Sequence, residues 1–447
     1  MTTTYELALG SLLLTGGTVL GSDGPVLADV LIENGIITAI GQGLNAPDAE
    51  VLDVEGCTVG PGFVDLHTHL REPGKEQAET IETGTRAAAL GGFTAVVAMP
   101  NTDPVLDSAF VVRAVLGLGA TAMAEVAVAG AITVGRNGQE LAPMAELSKL
   151  GVMLFTDDGT GVQNGGVARR ALDYCRGLGA TYAEHCEDLG IAAGGVVHEG
   201  YWSSKLGLPG QPASAEEAMV ARDLLLAGEL GARLHLLHLS TEGSVDLVRR
   251  AKAAGIKVTA EAAPHHFTLT DASIASFDAV YKVNPPLRPA HHGDAVVAGL
   301  LDGTIDAIAT DHAPHTPETK DLPFDEAPPG MLGLETAFSL SYERLVLGEG
   351  LAMEGLFDLL STNPARIAGL DAQSDRPFGQ SEHGGRVTVG RTANVVVIDP
   401  RAAWTVEGSS LASLAQNTPY EGRKLQGVVR HTILRGEVVV RNGEPTR

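Results

Sequence analysis

The chain is short of cysteine, of cations and of long apolar runs, and each shortage excludes a class of protein. Three cysteines, Cys57, Cys175 and Cys186, are too few and too odd in number for a disulfide framework, so a reducing, cytoplasmic setting is expected. Lys and Arg number 31 against 55 Asp and Glu, a formal charge of −24 that would repel a phosphate backbone or an anionic membrane surface. No nucleic acid is expected as a partner, and an anionic substrate would need a few local cations to hold it against that field. The two longest uncharged runs, Leu7–Ser22 and Ala87–Thr102, hold 16 residues each, short of the ~20 needed to span a bilayer. No membrane span is expected. The amino terminus, MTTTYE, carries an acid and no positive region and does not read as a secretory signal. What remains is the profile of a globular protein, with 44% hydrophobic and 19% charged residues.

The texture of the 447 residues changes twice. Residues 1–60 are short β-branched runs separated by Gly, Asn and Asp (LLLTGGTVL, VLADVLIENG, IITAIGQG, AEVLDVEGCTV) and read as an antiparallel meander. Similar runs return only in residues 380–447, so the two ends are expected to meet in one small β domain. Between them, over 61–370, apolar runs of five to eight residues alternate with longer amphipathic stretches, the signal of βα units around a parallel sheet. Eight strands can be counted: TVGPGFVDL, FTAVVAM, EVAVAGAI, VMLFT, TYAEH, LHLLHL, KVTAEAA and DAIAT. The fold class is α/β, a (β/α)8 TIM-like barrel with its active site at the carboxyl ends of the strands.

The chemistry-bearing residues gather at those ends. Asp65-Leu66-His67-Thr68-His69-Leu70-Arg71 closes the first strand, and alternation puts His67 and His69 on one face, able to grip one metal. A lone H-x-H is often coincidental, but Asp158, His185, His238 and Asp311 sit at the ends of four further strands. Singly, each has a bland alternative, such as a buried hydrogen-bonded histidine or a helix-capping Asp157 or Asp158. Together they form a ligand set for zinc or a similar divalent ion, with a carboxylate able to bridge a pair. Arg71, two residues after His69, reads as lying on the same face, where its fork can pair with a substrate carboxylate. Cys186 is discounted as a buried thiol; either of His265-His266 and His291-His292 could lie near the mouth, with solvated loop histidines the commoner outcome and the reading taken. Gly91-Gly92 reads as a helix stop.

At this point a resemblance enters. The run FVDLHTHLREPGKEQAETIETGTRAAALGGFTAVVAMPNTDP, followed in order by FTDDG, AEHCED, LHLS, EAAPHH, VNPPLR, ATDHAPH and GLETAF, resembles the dihydroorotases of the amidohydrolase superfamily over nearly the whole chain. The resemblance implies metal ligation by His67, His69, Asp158, His185, His238 and Asp311. It implies substrate contacts from His69, Arg71, Asn101, Asn284 and His315 and from the backbone around Pro329 and Gly330, and a catalytic proton carrier in Asp311. VMLFTDDG has no lysine to be carbamylated, which matches the bacterial subgroup with an aspartate there, and the spacing to His185 selects Asp158 over Asp157. The loop Ala327-Pro328-Pro329-Gly330 departs from that family's Pro-Phe-Gly pattern.

The function so implied is the reversible hydrolysis of (S)-dihydroorotate to N-carbamoyl-L-aspartate in de novo pyrimidine synthesis, with one or two Zn2+ per subunit, two favoured. A homodimer and association with aspartate transcarbamoylase are the implied assemblies. Two other readings stand beside it. A related cyclic amidase, an allantoinase or hydantoinase, would share the barrel and histidines, but an uncharged hydantoin offers Arg71 no carboxylate. A non-catalytic paralogue serving as a partner of aspartate transcarbamoylase would be expected to lose ligands, and none of the six is lost.

Overall fold

The computed structural model describes residues 10–372 and 381–447. Residues 1–9, the start of the expected amino-terminal segment, and residue 380, the expected start of the carboxyl-terminal one, lie outside the described residues. The eight predicted barrel strands all form: Phe63–Thr68, Phe93–Ala98, Glu125–Gly130, Leu154–Phe155, Thr181–Glu184, Leu234–Leu236, Val258–Ala262 and Ala307–Ile308. They hydrogen-bond in chain order as one parallel eight-stranded sheet. Several are buried at every position, as strands covered on both faces must be.

The sheet closes through an acid. Asp65, fully buried in the first strand, accepts hydrogen bonds from the Thr310 amide (2.8 Å) and hydroxyl (2.5 Å) just past the eighth strand. Beyond it, the His69 amide donates to the His312 carbonyl at 2.9 Å, and Thr68 bridges His312 in parallel. Inside, alternate residues such as Val64, Leu66, Ala95, Val97, Ala127 and Ala129 build a narrow core, capped by Ala365, Ala368 and Leu370. The Ser361 hydroxyl on Gly62 O and the Asn363 amide on Asp306 O fix that cap to the amino ends of the first and eighth strands. Only the opposite, carboxyl end is left open to host a site. Thr80 caps helix Ile81–Leu90 reciprocally with Thr83, and Gly91-Gly92 ends it. Gly92 has φ +87°, and a Cβ there would lie 2.8 Å from Val396, so the helix stop is also where the terminal domain packs.

Both ends of the chain enter a second, nine-stranded sheet. The join is antiparallel pairing of Thr58–Pro61 with Val395–Thr405. Two expectations need correction. TVGPGFVDL is not one strand: Thr58–Pro61 belongs to the terminal sheet and Phe63–Thr68 to the barrel, with the break at Gly62, where a Cβ would collide with Thr94 at 2.2 Å. The amino-terminal segment is not a pure meander either. Leu12–Gly21, Gly24–Glu33 and Ile36–Gly41 are antiparallel neighbours, whereas Glu50–Asp53 and Thr58–Pro61 run parallel to Leu12–Gly21. Alternating apolar texture reports which residues face the core, not the direction of the partner strand. Among the described residues no helix is long and apolar enough to cross a membrane.

Candidate active site

Six side chains converge at the open end of the barrel. His67 Nε2 lies 3.3 Å from Asp158 Oδ1 and 3.6 Å from Asp311 Oδ1. His69 Nε2 lies 3.3 Å from Asp311 Oδ1 and 3.7 Å from Asp158 Oδ2. On the other side of Asp158, Oδ1 is 3.5 Å from His185 Nδ1 and 3.6 Å from His238 Nε2, and those two nitrogens are 3.0 Å apart. All six residues are buried. Two overlapping ligand groups result, His67/His69/Asp158 and Asp158/His185/His238, sharing Asp158.

These residues fit a divalent cation. His67 Nε2 and Asp158 Oδ1 are buried and have no hydrogen-bond partner, a costly state for polar atoms unless something else satisfies them. The carboxylate–imidazole spacings approach the roughly 3.4 Å edge of a tetrahedron whose centre lies ~2.1 Å from each corner. Electrostatics points the same way. Burial drives the His67 and His185 imidazoles toward neutrality, but Asp158, with Asp311 for His67 and Glu187 for His185, outweighs it, raising His67 well above its usual range and His185 to about 10. Burial likewise pushes up the Asp158 and Asp311 carboxyls, and the surrounding imidazoles reverse this, holding both below the ordinary carboxylate range. The cluster holds protons where a cation would balance two carboxylates.

For His67, His69 and His185 the face presented to the cluster is set by the bond made by the other ring nitrogen. His67 Nδ1 is held by Glu261 at 3.0 Å, and Glu261 also takes His235 Nε2 at 3.0 Å. His185 Nε2 is held by Glu187 at 3.1 Å and His69 Nδ1 by Asn101 at 2.9 Å. Glu261 and Glu187 were not among the sequence candidates, since VTAEAA reads simply as a strand and Glu187 as one more acid. A carboxylate two strands away from H-x-H around the closed barrel, or two residues after a candidate ligand histidine, is the only signal they leave. Asp157 is not a helix cap. It accepts from the Ile132 and Thr133 amides at 2.9 and 3.0 Å and from the Thr133 hydroxyl, tying the third strand's loop to the fourth.

Backbone conformation aims several of these groups. Arg71, His238 and Asp311 have φ of 61°, 30° and 49°, the left-handed region that L-residues rarely occupy and that gathers at functional sites. The first strand ends at Thr68, so Arg71 reaches the mouth by this turn and not by strand alternation, which corrects the same-face expectation. Its Nε donates to Pro314 O at 3.1 Å, and burial lowers its pKa to about 10, leaving it charged. His315 Nε2 donates to Pro329 O at 2.8 Å. Burial, then Arg71 and Lys320, lower its pKa to about 3, so the ring is neutral. Asn284 donates to Glu187 at 2.7 Å. Arg71, Asn101, Asn284, His315, Pro329 and Gly330 line one cavity of about 140 Å³ together with ligands of the cluster. Gly330 has φ +137°, and a Cβ there would meet Ala313 Cβ at 2.6 Å and His315 Nε2 at 2.9 Å. Three histidines read as solvated are not: His265, His266 and His292 are buried, on helices Pro264–Thr268 and Ala290–Asp302. Cys186 is buried, which raises its pKa.

A closed parallel barrel with histidines and carboxylates at its carboxyl mouth, flanked by a sheet drawn from both termini, defines an amidohydrolase-type hydrolase of cyclic amides. Among solved structures the chain is similar to L-hydantoinase (dihydropyrimidinase) from Arthrobacter aurescens (TM-score 0.86, 26% identity, 98% of this chain and 97% of that one). It is also similar to D-hydantoinase (dihydropyrimidinase) from Thermus sp. (TM-score 0.82, 26% identity, 97% and 96%). Residues 56–244 match the dihydro-orotase-like family model. Over 436 residues the chain is 49% identical to the dihydroorotase of Pelotomaculum thermopropionicum, covering 96% of this chain and 99% of that protein. It is 47% identical over 420 residues to that of Mycobacterium tuberculosis, covering 93% and 95%. The chain belongs to the dihydroorotase family.

Proposed function

We propose that the chain hydrolyses the cyclic amide of (S)-dihydroorotate to N-carbamoyl-L-aspartate, reversibly, in de novo pyrimidine synthesis. The observation that carries this reading is a charged arginine in the same small cavity as the histidine–carboxylate cluster, which gives an anionic ring both a reader for its carboxylate and a place to react. His67, His69, Asp158 and Asp311 would hold one ion and Asp158, His185 and His238 a second; two Zn2+ are the proposed complement. A divalent ion held there supplies a water of lowered pKa and polarises the amide carbonyl.

The chain's own residues do the rest. Arg71 pairs with the substrate carboxylate through its Nη atoms, its Nε being held by Pro314 O and its Nη2 lying 3.3 Å from His315 Nε2. Asn101, Asn284 and the Pro329–Gly330 backbone hold the ring edge, and neutral His315 borders the carboxylate. Asp311, ionised and beside both His67 and His69, accepts the proton of the attacking water and returns it to the ring nitrogen as the C–N bond breaks. Glu261 and Glu187 keep His67 and His185 in the tautomers that face the cluster.

The hydantoinase structures keep the related cyclic-amidase reading as a second possibility of class, and Arg71 is the feature that favours dihydroorotate. The proposed organisation is residues 1–60 and 380–447 as the β domain and 61–370 as the barrel. The protein is proposed to act as a cytoplasmic homodimer, associating with aspartate transcarbamoylase. Ring opening of dihydroorotate, followed by ultraviolet absorbance before chelation, after chelation and after Zn2+ is restored, tests the reading. Activity lost and regained supports it; a metal-replete protein inert towards dihydroorotate overturns it.

A further inference from the structure

The wall of the small cavity is made from main chain that should repel an anion. Ala313, Pro329 and Gly330 line it, and an unpaired carbonyl oxygen in such a wall would set lone pairs against a carboxylate. The carbonyls of these residues and of Pro314 each have a donor. Pro314 O accepts from Arg71 and Pro329 O from His315. The other two are taken by one residue, Asn417, whose amide nitrogen donates to Ala313 O at 3.0 Å and Gly330 O at 3.1 Å. The Asn417 side-chain oxygen accepts from the His315 amide at 3.2 Å, and its main-chain carbonyl accepts from the Leu332 amide at 3.1 Å. Both amide hydrogens and the oxygen are thus used.

Asn417 comes from the terminal domain, between strands Val395–Thr405 and Lys424–Leu434. The same connection is anchored to the barrel nearby, where the Leu414 amide (3.2 Å) and the Ser413 hydroxyl donate to buried Glu79, which also holds His312 Nε2 at 3.3 Å. The connection therefore grips the barrel at Glu79 as well as through Asn417.

We infer that Asn417 is a positioning residue for the substrate's carboxylate: it joins the His315 and Gly330 segments into one wall and withdraws two carbonyl oxygens from the anion's path. The terminal β domain is thereby part of the binding site. This rests on the assignment of Arg71 and His315 to the carboxylate. Nothing in it involves the cluster ligands, which sets the signature of a test: substrate affinity should change while metal content does not.

The test compares wild type, Asn417→Ser and Asn417→Asp, each metal-replete, by steady-state kinetics on dihydroorotate, bound metal by mass spectrometry and hydrogen exchange across residues 312–331. Asn417→Ser should raise KM about 5-fold or more and Asn417→Asp, which sets a negative charge against two carbonyls and the substrate, about 30-fold or more. In both, kcat should stay within about 3-fold and metal content should be unchanged. The 312–331 amides should exchange faster in both. An unchanged KM in a folded Asn417→Ser protein, or a fall in kcat with KM preserved, overturns the inference. Should Asn417→Asp not fold, Asn417→Ser carries the decision. A wild-type chain that does not open dihydroorotate would defeat the assigned reaction separately, and unaltered exchange across 312–331 would then still overturn Asn417's positioning role.

Discussion

The barrel mouth and the terminal sheet each contain a cavity, and the smaller one gathers the candidate metal-binding residues. The mouth cavity is about 140 Å³, whereas one in the terminal sheet, lined by Asp53, Glu55, Asp399, Arg401 and Arg430 among others, is about 520 Å³. Among the described residues, no polar side-chain atom lining the larger cavity is buried without a partner, while Asp158 Oδ1 and His238 Nδ1 at the mouth are. Acids and arginines that face one another at a surface offer a ligand little. Size reports unfilled space; unsatisfied, desolvated donors held by a rigid frame report a site waiting for a ligand.

The largest expected effect separates two adjacent aspartates. Asp158→Asn should lower the bound metal per chain and cut ring opening by at least ~10³-fold, because the shared ligand of both groups is lost. Asp157→Asn replaces by an NH2 group one of the two oxygens that together accept three hydrogen bonds, and should cost about 1–3 kcal/mol of stability while leaving the metal count unchanged. Metal analysis with thermal melts distinguishes them, and equal metal loss in both would mean the two positions are not functionally distinct.

Next in size is Glu261→Ala, which frees His67 Nδ1 and His235 Nε2 together. Competition with a chelator should show metal affinity reduced about 10- to 100-fold, with Glu261→Gln, which can still accept from His67, recovering part of it. Undiminished affinity in Glu261→Ala would show that His67 needs no anchor.

The smallest effect concerns pH. Lys320 donates to Pro328 O at 3.0 Å in the loop forming the cavity wall, and burial, helped by Lys282, lowers its pKa from 10.5 to about 7. Between pH 7 and 10.5 the unfolded chain holds a proton there that the folded chain does not. Stability from this group therefore rises with pH across that window and is lost as pH falls through about 7. Lys320→Met should flatten the rise in Tm by about 1–2 °C; parallel melting curves for the two proteins across the window would contradict the assignment.

Much of the frame was legible because its signals are local. Eight apolar runs gave eight barrel strands, and histidines and carboxylates at their ends gave the six converging side chains. The illegible parts depend on partners distant in sequence. Strand direction in Glu50–Asp53 and the split at Gly62 follow from contacts with other strands and with Thr94. Burial of His265 and His266 follows from helix packing over the barrel, which adjacency in sequence does not reveal. Asn417 lies 87 to 104 residues after the carbonyls it holds, in a segment whose texture announces only strands and turns.

The central claim is that the mouth cavity reads a carboxylate through Arg71, and it is tested most directly by Arg71→Met assayed on dihydroorotate and on an uncharged hydantoin with metal content measured alongside. An unpaired carboxylate in a partly desolvated site costs about 2–5 kcal/mol, so kcat/KM for dihydroorotate should fall roughly 30-fold to several thousand-fold. Turnover of the hydantoin, however weak, should change little. Equal losses on both substrates with metal retained would contradict the account and return the chain to the broader class of cyclic amidases.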